Sequence, residues 1–215
     1  TLVLDQTRCA AIDAEIAPEW LLTNGIGGYA MGNVSGTLDR RYHGLLIAPA
    51  FPPLGRQLVF VKADAAVLHD DGSELPLHSN RWGGGAIAPR GHEQIAYFAL
   101  DRHLPVWQYR VDGQLLEHRI WMTHGRNQTS LGFRLPGGAS MLVSTEACPV
   151  SRITSTRGWT RLISLRVSIP SMPPGILISV SIRWNASAPS FCSACSPDSG
   201  WLISRFSMST PSVRA

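Results

Sequence analysis

A glycine-rich segment near the N-terminus carries aromatic and hydrogen-bonding side chains suited to contact with a ligand or with another domain. Five glycines lie within the twelve residues 25–36, and such density permits positive φ angles and close backbone approach. Aromatic rings offer flat apolar faces, and amide, guanidinium and imidazole groups donate hydrogen bonds. The segment and its continuation supply both kinds of group: Trp20, Asn24, Tyr29, Arg41, Tyr42 and His43. These six candidate residues either contact such a ligand or pack within the domain and against a neighbouring one.

The glycine spacing also matches two nucleotide-binding patterns, and the surrounding residues exclude both. Gly25 to Ala30 fits the dinucleotide fingerprint, but no helical pattern follows, and Asp39 comes too soon for the acid expected about 20 residues further on. Gly27 to Gly32 has the spacing of a phosphate loop, but Asn33 and Val34 stand where Lys and Ser or Thr are required. We therefore predict no nucleotide site.

Acidic residues give little support for a catalytic centre in this chain. Several lie where turns are predicted, such as Asp70, Asp71 and Asp112, and solvation explains them there. Glu19 and Asp39 flank the glycine-rich segment and are the only acidic pair worth testing as an acid and a base. The sequence assigns no catalytic residue.

The elements that must position the candidate residues are antiparallel β-hairpins. Asp112-Gly113 separates two alternating apolar and polar runs, which is a strong signal for a two-residue turn. Such a turn pairs Val111 with Gln114, Tyr109 with Leu116 and Trp107 with His118. The alternation then predicts one core face, made of Trp107, Tyr109, Val111, Leu116 and Ile120.

Further hairpins extend the same pattern along residues 1–150. One is predicted at Asp71-Gly72 and another around Pro136-Gly137-Gly138, and residues 45–48 and 57–63 read as additional strands. The chain has 15 prolines and 20 glycines, and no helical period extends over more than a few residues. The predicted fold class is all-β, an antiparallel β-sandwich.

A change in composition near residue 150 divides the chain. Residues 1–150 hold 14 of the 15 acids and 6 serines, whereas residues 151–215 hold 16 serines, 7 arginines and one acid, Asp198. A folded surface normally mixes both charge signs, so this tail is abnormal. Three interpretations stay open: a Ser/Arg-rich irregular tail, a small second domain, or non-native sequence from out-of-frame translation. We therefore predict a domain at 1–150 and a separate tail at 151–215.

Several separate motifs, in a fixed order, resemble one known family. They are WLLTNGIGGYA at 20–30, SG at 35–36, RYHGLL at 41–46, PPLGR at 52–56, LPVWQY at 104–109 and LEHRIWMTHG at 116–125. Together they resemble the N-terminal domain of bacterial and archaeal glycogen debranching enzymes, the amylo-α-1,6-glucosidase family. The likeness covers residues 15 to 147. Asn33 and Thr123 depart from the family pattern, and the family's charged and aromatic continuation after residue 150 is absent.

The resemblance implies a β-supersandwich that precedes a catalytic (α/α)6 barrel. Such enzymes hydrolyse α-1,6-glucosidic branch points in glycogen, with or without 4-α-glucanotransferase activity. Glycoside hydrolysis uses two carboxyl groups, and in this family they belong to the barrel, which is absent from this chain. The implied partners are therefore glycogen or another branched α-glucan and a barrel that normally lies in the same chain. A stand-alone carbohydrate-binding β-sandwich and an inactive truncated or frameshifted product are the alternatives.

Other function classes find no support in the sequence. The net charge of +4 comes from arginines scattered in the tail, so no nucleic-acid partner is expected. The pair Cys192 and Cys195 has no second pair, and the histidines lack ligand spacing, so no metal and no cofactor are expected. No apolar run reaches the length of a membrane span, and no secretory signal is visible at the start. A cytoplasmic location is expected.

Overall fold

The protein is described by a computed structural model that covers residues 2–13, 15–49, 55–135, 140–146, 160–167 and 176–185. In chain order its strands are β1 Val3–Asp5, β2 Glu19–Thr23, β3 Tyr29–Asn33, β4 Gly44–Pro49, β5 Arg56–His69, β6 Glu74–Pro76, β7 Ser79–Arg81, β8 Ile87–Arg90, β9 Ile95–Asp101, β10 Leu104–Val111, β11 Gln114–Met122, β12 Gln128–Arg134, β13 Ser140–Glu146, β14 Thr160–Val167 and β15 Ile176–Asn185. Two short helical turns join them, α1 at Gln6–Cys9 and a 3-10 turn at Gly91–Gln94.

Two antiparallel sheets contain most of the strands. One has six strands in the order β1-β9-β10-β11-β12-β13, and the other has seven strands, with β14-β15-β5-β4-β3-β2 as its path and β6 beside β5. The small pair β7 and β8 forms a separate ribbon. Within the first sheet, strands β9 to β13 are neighbours in sequence and in space, as consecutive hairpins require. The predicted all-β antiparallel sandwich is confirmed.

The core lies between the two sheets and is rich in aromatic rings. Trp20 of the seven-stranded sheet contacts Trp107 of the six-stranded sheet edge-on, with ring centres 5.6 Å apart. Phe98 lies on the other side of Trp107 at 5.0 Å. Aromatic pairs prefer such tilted contacts because the positive ring edge meets the negative ring face. The largest side chains of both sheets thus hold the two layers together.

Two hydrogen bonds between the layers accompany the aromatic core. The Trp107 indole donates to the Val34 carbonyl at 2.8 Å, and the Thr129 hydroxyl donates to the Leu45 carbonyl at 2.6 Å. Both carbonyls belong to the segment around the β3–β4 connection. Because a buried carbonyl without a partner is costly, these bonds fix where that connection lies against the opposite sheet.

The Asp112-Gly113 hairpin has the predicted register. Strands β10 and β11 pair Val111 with Gln114, Tyr109 with Leu116 and Trp107 with His118. Asp112 and Gly113 both have positive φ, as a two-residue turn of this kind needs. The predicted core face is also confirmed, since all five of its residues belong to the buried cluster: Trp107, Tyr109, Val111, Leu116 and Ile120.

The other predicted hairpins are present with one refinement. Strands β5 and β6 pair around Asp71-Gly72, and β12 pairs with β13 across the third predicted turn, although residues 136–139 lie outside the described part of the chain. The run predicted at 57–63 is the start of the longer β5, which continues to His69. In the tail, β14 pairs with β15, and β15 pairs with β5, so these two stretches extend the seven-stranded sheet. The rest of the tail lies outside the described residues.

Candidate functional site

The β2–β3 hairpin sorts the glycine-rich segment into an inner and an outer face. Trp20 and Leu22 point into the core, whereas Leu21 and Thr23 point outwards. On β3, Met31 lies opposite Leu21 and Tyr29 lies opposite Thr23. Because side chains alternate along a strand, these four residues share the outer face. Two layers of side chains therefore arise from one continuous motif.

Asn24 is a buried structural residue that fixes the turn between β2 and β3. Its Oδ1 accepts hydrogen bonds from the backbone N–H of Ile26 and Gly28, at 3.1 and 2.9 Å. Its Nδ2 donates to the Arg126 carbonyl and to Asn127 Oδ1, at 3.0 and 2.9 Å. The amide therefore has partners at both ends. Asn24 ties the glycine turn to the β11–β12 connection and is not available to a ligand.

The glycines of this turn serve different needs. A Cβ at Gly25 would overlap the His124 ring, and a Cβ at Gly28 would overlap the Asn24 side chain amide. Gly27 has φ +91°, and the nearest atoms to a Cβ there belong to Pro49, 3.9 Å away. Gly25 and Gly28 are therefore required by packing inside the protein, whereas a Cβ at Gly27 would clash with nothing and would only touch Pro49.

His43 is buried in the connection that leads from β3 to β4. Its Nδ1 accepts a hydrogen bond from the Asp39 backbone N–H at 3.3 Å, so the neutral ring carries its proton on Nε2. Nε2 lies 3.3 Å from Glu19 Oε1, and Glu19 also pairs with Arg40. Burial lowers the pKa of His43, and the Glu19 carboxylate opposes that shift in part. A neutral, enclosed imidazole of this kind anchors the connection.

Asp39 is the second anchor of the same connection. Its Oδ2 accepts hydrogen bonds from Asn33 Nδ2 and from the Thr37 hydroxyl, and its Oδ1 pairs with Arg81 at 2.6 Å. Only 4% of its side chain is exposed. Glu19 and Asp39, the acidic pair singled out from the sequence, thus both hold positively charged or polar neighbours in place. Neither carboxylate lines the groove described next.

An open groove of about 490 Å³ lies on the outer face of the β2–β3 hairpin. We call it the outer groove and define it by its side chains Leu21, Thr23, Tyr29, Met31, Tyr42 and Arg56, together with the backbone of Gly25, Gly27 and Gly28. Ligand sites in proteins commonly have volumes of about 300–1,000 Å³ with mainly apolar walls and a few polar groups. A second space of about 80 Å³ between the sheets is smaller than that range.

Arg56 is held rigidly at the rim of the outer groove. Its Nε donates to the Gly27 carbonyl at 2.9 Å, and its guanidinium carbon lies 5.8 Å from the centre of the Tyr29 ring. The ring and the cation attract each other, and the hydrogen bond sets the plane of the guanidinium. The remaining N–H groups of Arg56 are therefore presented in a fixed orientation.

The structure separates the six predicted site residues into three groups. Trp20, Asn24 and His43 are buried, with structural partners, whereas Tyr29 and Tyr42 line the outer groove. Arg41 is exposed beside Tyr42 and does not line the groove.

Sequence reasoning missed the other side chains of the groove. Leu21, Thr23 and Met31 could have been found from strand alternation once β2 and β3 were placed. Arg56 is the last residue of the PPLGR motif at 52–56, but the motif alone does not indicate a binding role for it. It lies 27 residues beyond Tyr29 in the chain, and only the folded sheet brings the two together.

A second chemical grouping joins two hairpin turns at another end of the protein. His69 Nε2 lies 2.9 Å from Asp112 Oδ2, and Ser73 Oγ lies 3.1 Å from His69 Nδ1. A serine nucleophile would need free backbone N–H donors for the oxyanion, but the N–H of Gly72 bonds to His69 O and that of Ser73 to Asp71 Oδ1. The grouping therefore links the two sheets and is not a catalytic triad.

The described residues offer little to a metal or a membrane. No group of three or more His, Cys, Asp or Glu side chains among them could hold a metal ion. Burial raises the pKa of the Cys9 thiol to about 11, which makes it unreactive, while Cys148, Cys192 and Cys195 lie outside the described residues. No described helix has the length and apolar character needed to cross a bilayer.

Comparison with known proteins identifies the family of this domain. No curated protein and no solved structure matches the chain. A family profile does match, over residues 18–147, and its description is glycogen debranching enzyme N terminal. The match covers more than half of the chain and includes the β2–β3 hairpin, the outer groove and the six predicted site residues. The chain therefore belongs to the glycogen debranching enzyme N-terminal family.

Proposed function

We propose that this chain is the N-terminal part of an enzyme that hydrolyses α-1,6-glucosidic branch points in glycogen. The observation that carries the proposal is the family match over residues 18–147. In this arrangement the β-sandwich supports substrate binding and the position of a catalytic (α/α)6 barrel. The bond-breaking carboxyl groups belong to that barrel, and this chain alone is inactive.

The acidic residues nearest the glycine-rich segment support this division of labour. Glycoside hydrolysis needs one carboxylic acid and a second carboxylate on opposite sides of the scissile bond. Glu19 is paired with Arg40 and His43, and Asp39 is paired with Arg81, so both are engaged in holding the β3–β4 connection. No described residue that lines the outer groove carries a carboxylate. A glucan in this groove would be bound and not cleaved.

A reconstitution experiment tests the proposal. The purified 215-residue chain is mixed with a separately expressed catalytic barrel of a glycogen debranching enzyme, and glucose release from a branched limit dextrin is measured. We expect no glucose from the chain alone and faster release from the mixture than from the barrel alone. Release of glucose by the chain alone, or no effect on the barrel, would contradict the proposal.

A free-standing carbohydrate-binding module is the second candidate function. It is favoured by one observation, namely that the described residues form a groove of about 490 Å³ lined by two tyrosine rings and the Arg56 side chain. Addition of the chain to the catalytic barrel separates the two candidates, because a stand-alone module binds glycogen without a partner but does not change the activity of the barrel. A cytoplasmic location and an accompanying glucanotransferase activity remain predictions that accompany the first candidate.

The status of residues 151–215 also remains a prediction. Their composition suggests out-of-frame translation, in which case the chain is a truncated product of a debranching-enzyme gene. The coding DNA around codons 145–155 and beyond codon 215 tests this interpretation. An adjacent frame that encodes acidic and aromatic residues, followed by a helical barrel, would support it. An uninterrupted frame that matches related genes through residue 215 would refute it.

A further inference from the structure

We propose that the outer groove is the glucan-binding site of this domain, and that it takes a linear stretch of α-glucan. In this site the rings of Tyr29 and Tyr42 pack on sugar C–H faces, and the Arg56 guanidinium donates hydrogen bonds to sugar hydroxyls. The choice of an α-glucan as the sugar rests on the proposed function. The site itself rests on the geometry of the groove.

The groove is preorganised, which lowers the entropic cost of binding. Arg56 is fixed by the Gly27 carbonyl and the Tyr29 ring before any ligand arrives. The Tyr42 ring packs edge-on against the ring of the next residue, His43, with centres 5.7 Å apart. Because His43 is buried, this contact orients Tyr42 from inside the protein. Immobilising a flexible side chain on binding costs free energy, and these contacts lower that cost in advance.

The chemistry of the lining fits a neutral polyhydroxylated chain. Thr23, Tyr29 and Tyr42 carry side-chain hydroxyls. None of these three hydroxyls has a hydrogen-bond partner among the described residues. Arg56 is the one charged residue that lines the groove within the described part of the chain. A polyanion such as a nucleic acid would need several cations to neutralise its phosphates. Aromatic rings, hydroxyls and one fixed guanidinium are sufficient for a sugar.

The turn at Gly27 lines one side of the outer groove. Gly27 lines the groove, is exposed and carries no side chain, so a ligand can approach its backbone closely. Gly25 and Gly28 have internal reasons for lacking a side chain, and they do not contribute to this argument. The approach surface is therefore confined to Gly27 and the rings beside it.

Binding of maltoheptaose to the purified 215-residue chain tests the inference. Calorimetry is carried out on the natural chain, on Tyr42→Ala and on Arg56→Lys. The control is Tyr97→Ala, which removes a half-exposed tyrosine from β9 of the other sheet. We expect the control to bind like the natural chain and both groove variants to bind about tenfold more weakly. Each lost contact of about 1.4 kcal/mol corresponds to a factor of ten.

Arg56→Lys separates geometry from charge. Lysine keeps the positive charge but lacks the planar fork that stacks on Tyr29 and bonds to Gly27. Weaker binding in Arg56→Lys supports a guanidinium that contacts sugar hydroxyls. Unchanged binding in both groove variants, equal loss in Tyr97→Ala, or no maltoheptaose binding by the natural chain would overturn the inference. Far-ultraviolet circular dichroism and thermal melting of each variant show whether it is folded.

The outcomes for this site and for the proposed function can be told apart. If the chain raises barrel activity but binds no maltoheptaose, the proposed function stands and the groove is not the glucan site. In that case protection of the groove from solvent exchange when the barrel is added would assign the face to interdomain contact. If the groove binds maltoheptaose but the barrel is unaffected, the inference stands and the proposed function fails.

Discussion

The inner and outer faces of the β2–β3 hairpin belong to one continuous motif and have opposite properties. Trp20 is 6% exposed and contacts Trp107 across the core, whereas the next residue, Leu21, is 56% exposed in the outer groove. Likewise, His43 is 2% exposed, whereas the preceding residue, Tyr42, is 47% exposed. Neighbouring residues of one motif thus have separate tasks, since one set holds the sheets together and the other is open to a ligand.

This contrast shows why residue type alone does not identify a binding site. Trp20, Asn24 and His43 have the chemistry of sugar-binding residues, but each already has partners inside the protein. Leu21 and Met31 carry no polar group, yet they form the floor of the outer groove. Partners and exposure, which depend on the fold, decide which aromatic and amide groups are available.

The largest effect is expected when the inner tryptophan is removed. Trp20→Ala leaves a cavity against Trp107 and should lower the free energy of unfolding by about 3–5 kcal/mol. Tyr42→Ala removes an aromatic ring of the same motif from the outer face and should change it by no more than about 0.5 kcal/mol. Urea unfolding of both variants, followed by circular dichroism, measures the difference. Similar losses in the two variants would contradict the division into faces.

Acid provides the second test, because the inner histidines are buried in neutral form. Burial lowers the pKa of His118 to about 4, against an ordinary value near 6.5, and burial also lowers the pKa of His43 and His92. In the unfolded chain these rings gain protons below about pH 6.5, whereas in the native protein His118 gains one only near pH 4. The contribution of these neutral rings to the free energy of unfolding is therefore fully present above pH 6.5, and it is lost as the pH falls towards 4. His118 alone accounts for about 3 kcal/mol of that loss.

The variant His118→Phe isolates this contribution. The ring lies between Trp107 and Phe133, at centroid distances of 5.3 and 4.3 Å, so phenylalanine keeps the stacking but does not titrate. We expect the stability of His118→Phe to depend less steeply on pH between 6.5 and 4.5 than that of the natural chain. Equal slopes in the two proteins would show that folding does not lower the pKa of His118, and would contradict the prediction.

The sequence was informative where local rules are strong. The Asp112-Gly113 turn sets the register of β10 and β11, because a two-residue turn leaves one way to pair the strands, and that register predicted the core face. The outer groove was only half predicted. Tyr29 and Tyr42 were named, but Arg56 joins them through sheet pairing between β3, β4 and β5, which no local pattern specifies. The inward direction of Trp20 likewise depends on which sheet face becomes the core.

Substitutions in the glycine turn should lower the free energy of unfolding least, and they compare the two faces at adjacent positions. A Cβ at Gly28 would overlap Asn24 Nδ2, and Asn24 is held by four hydrogen bonds, so Gly28→Ala must displace a fixed buried amide. Overpacking of this kind costs about 1–3 kcal/mol, and we expect about 2 kcal/mol. Gly27→Ala, one residue earlier and lining the groove, meets Pro49 at an ordinary contact distance of 3.9 Å and should lose only about 1 kcal/mol for its positive φ.

The double variant Asn24→Ala with Gly28→Ala decides whether this cost is steric. If the overlap with Asn24 causes the loss in Gly28→Ala, the double variant should be more stable than the sum of the two single losses predicts, by at least about 0.5 kcal/mol. Combining Asn24→Ala with Gly27→Ala should give a nearly additive loss, since a Cβ at Gly27 does not approach Asn24. Additivity in both pairs would mean that Gly28 is needed for some reason other than the inner amide. In that case Asn127, whose Oδ1 lies 2.9 Å from a Cβ built at Gly28, would be the neighbour that requires this glycine.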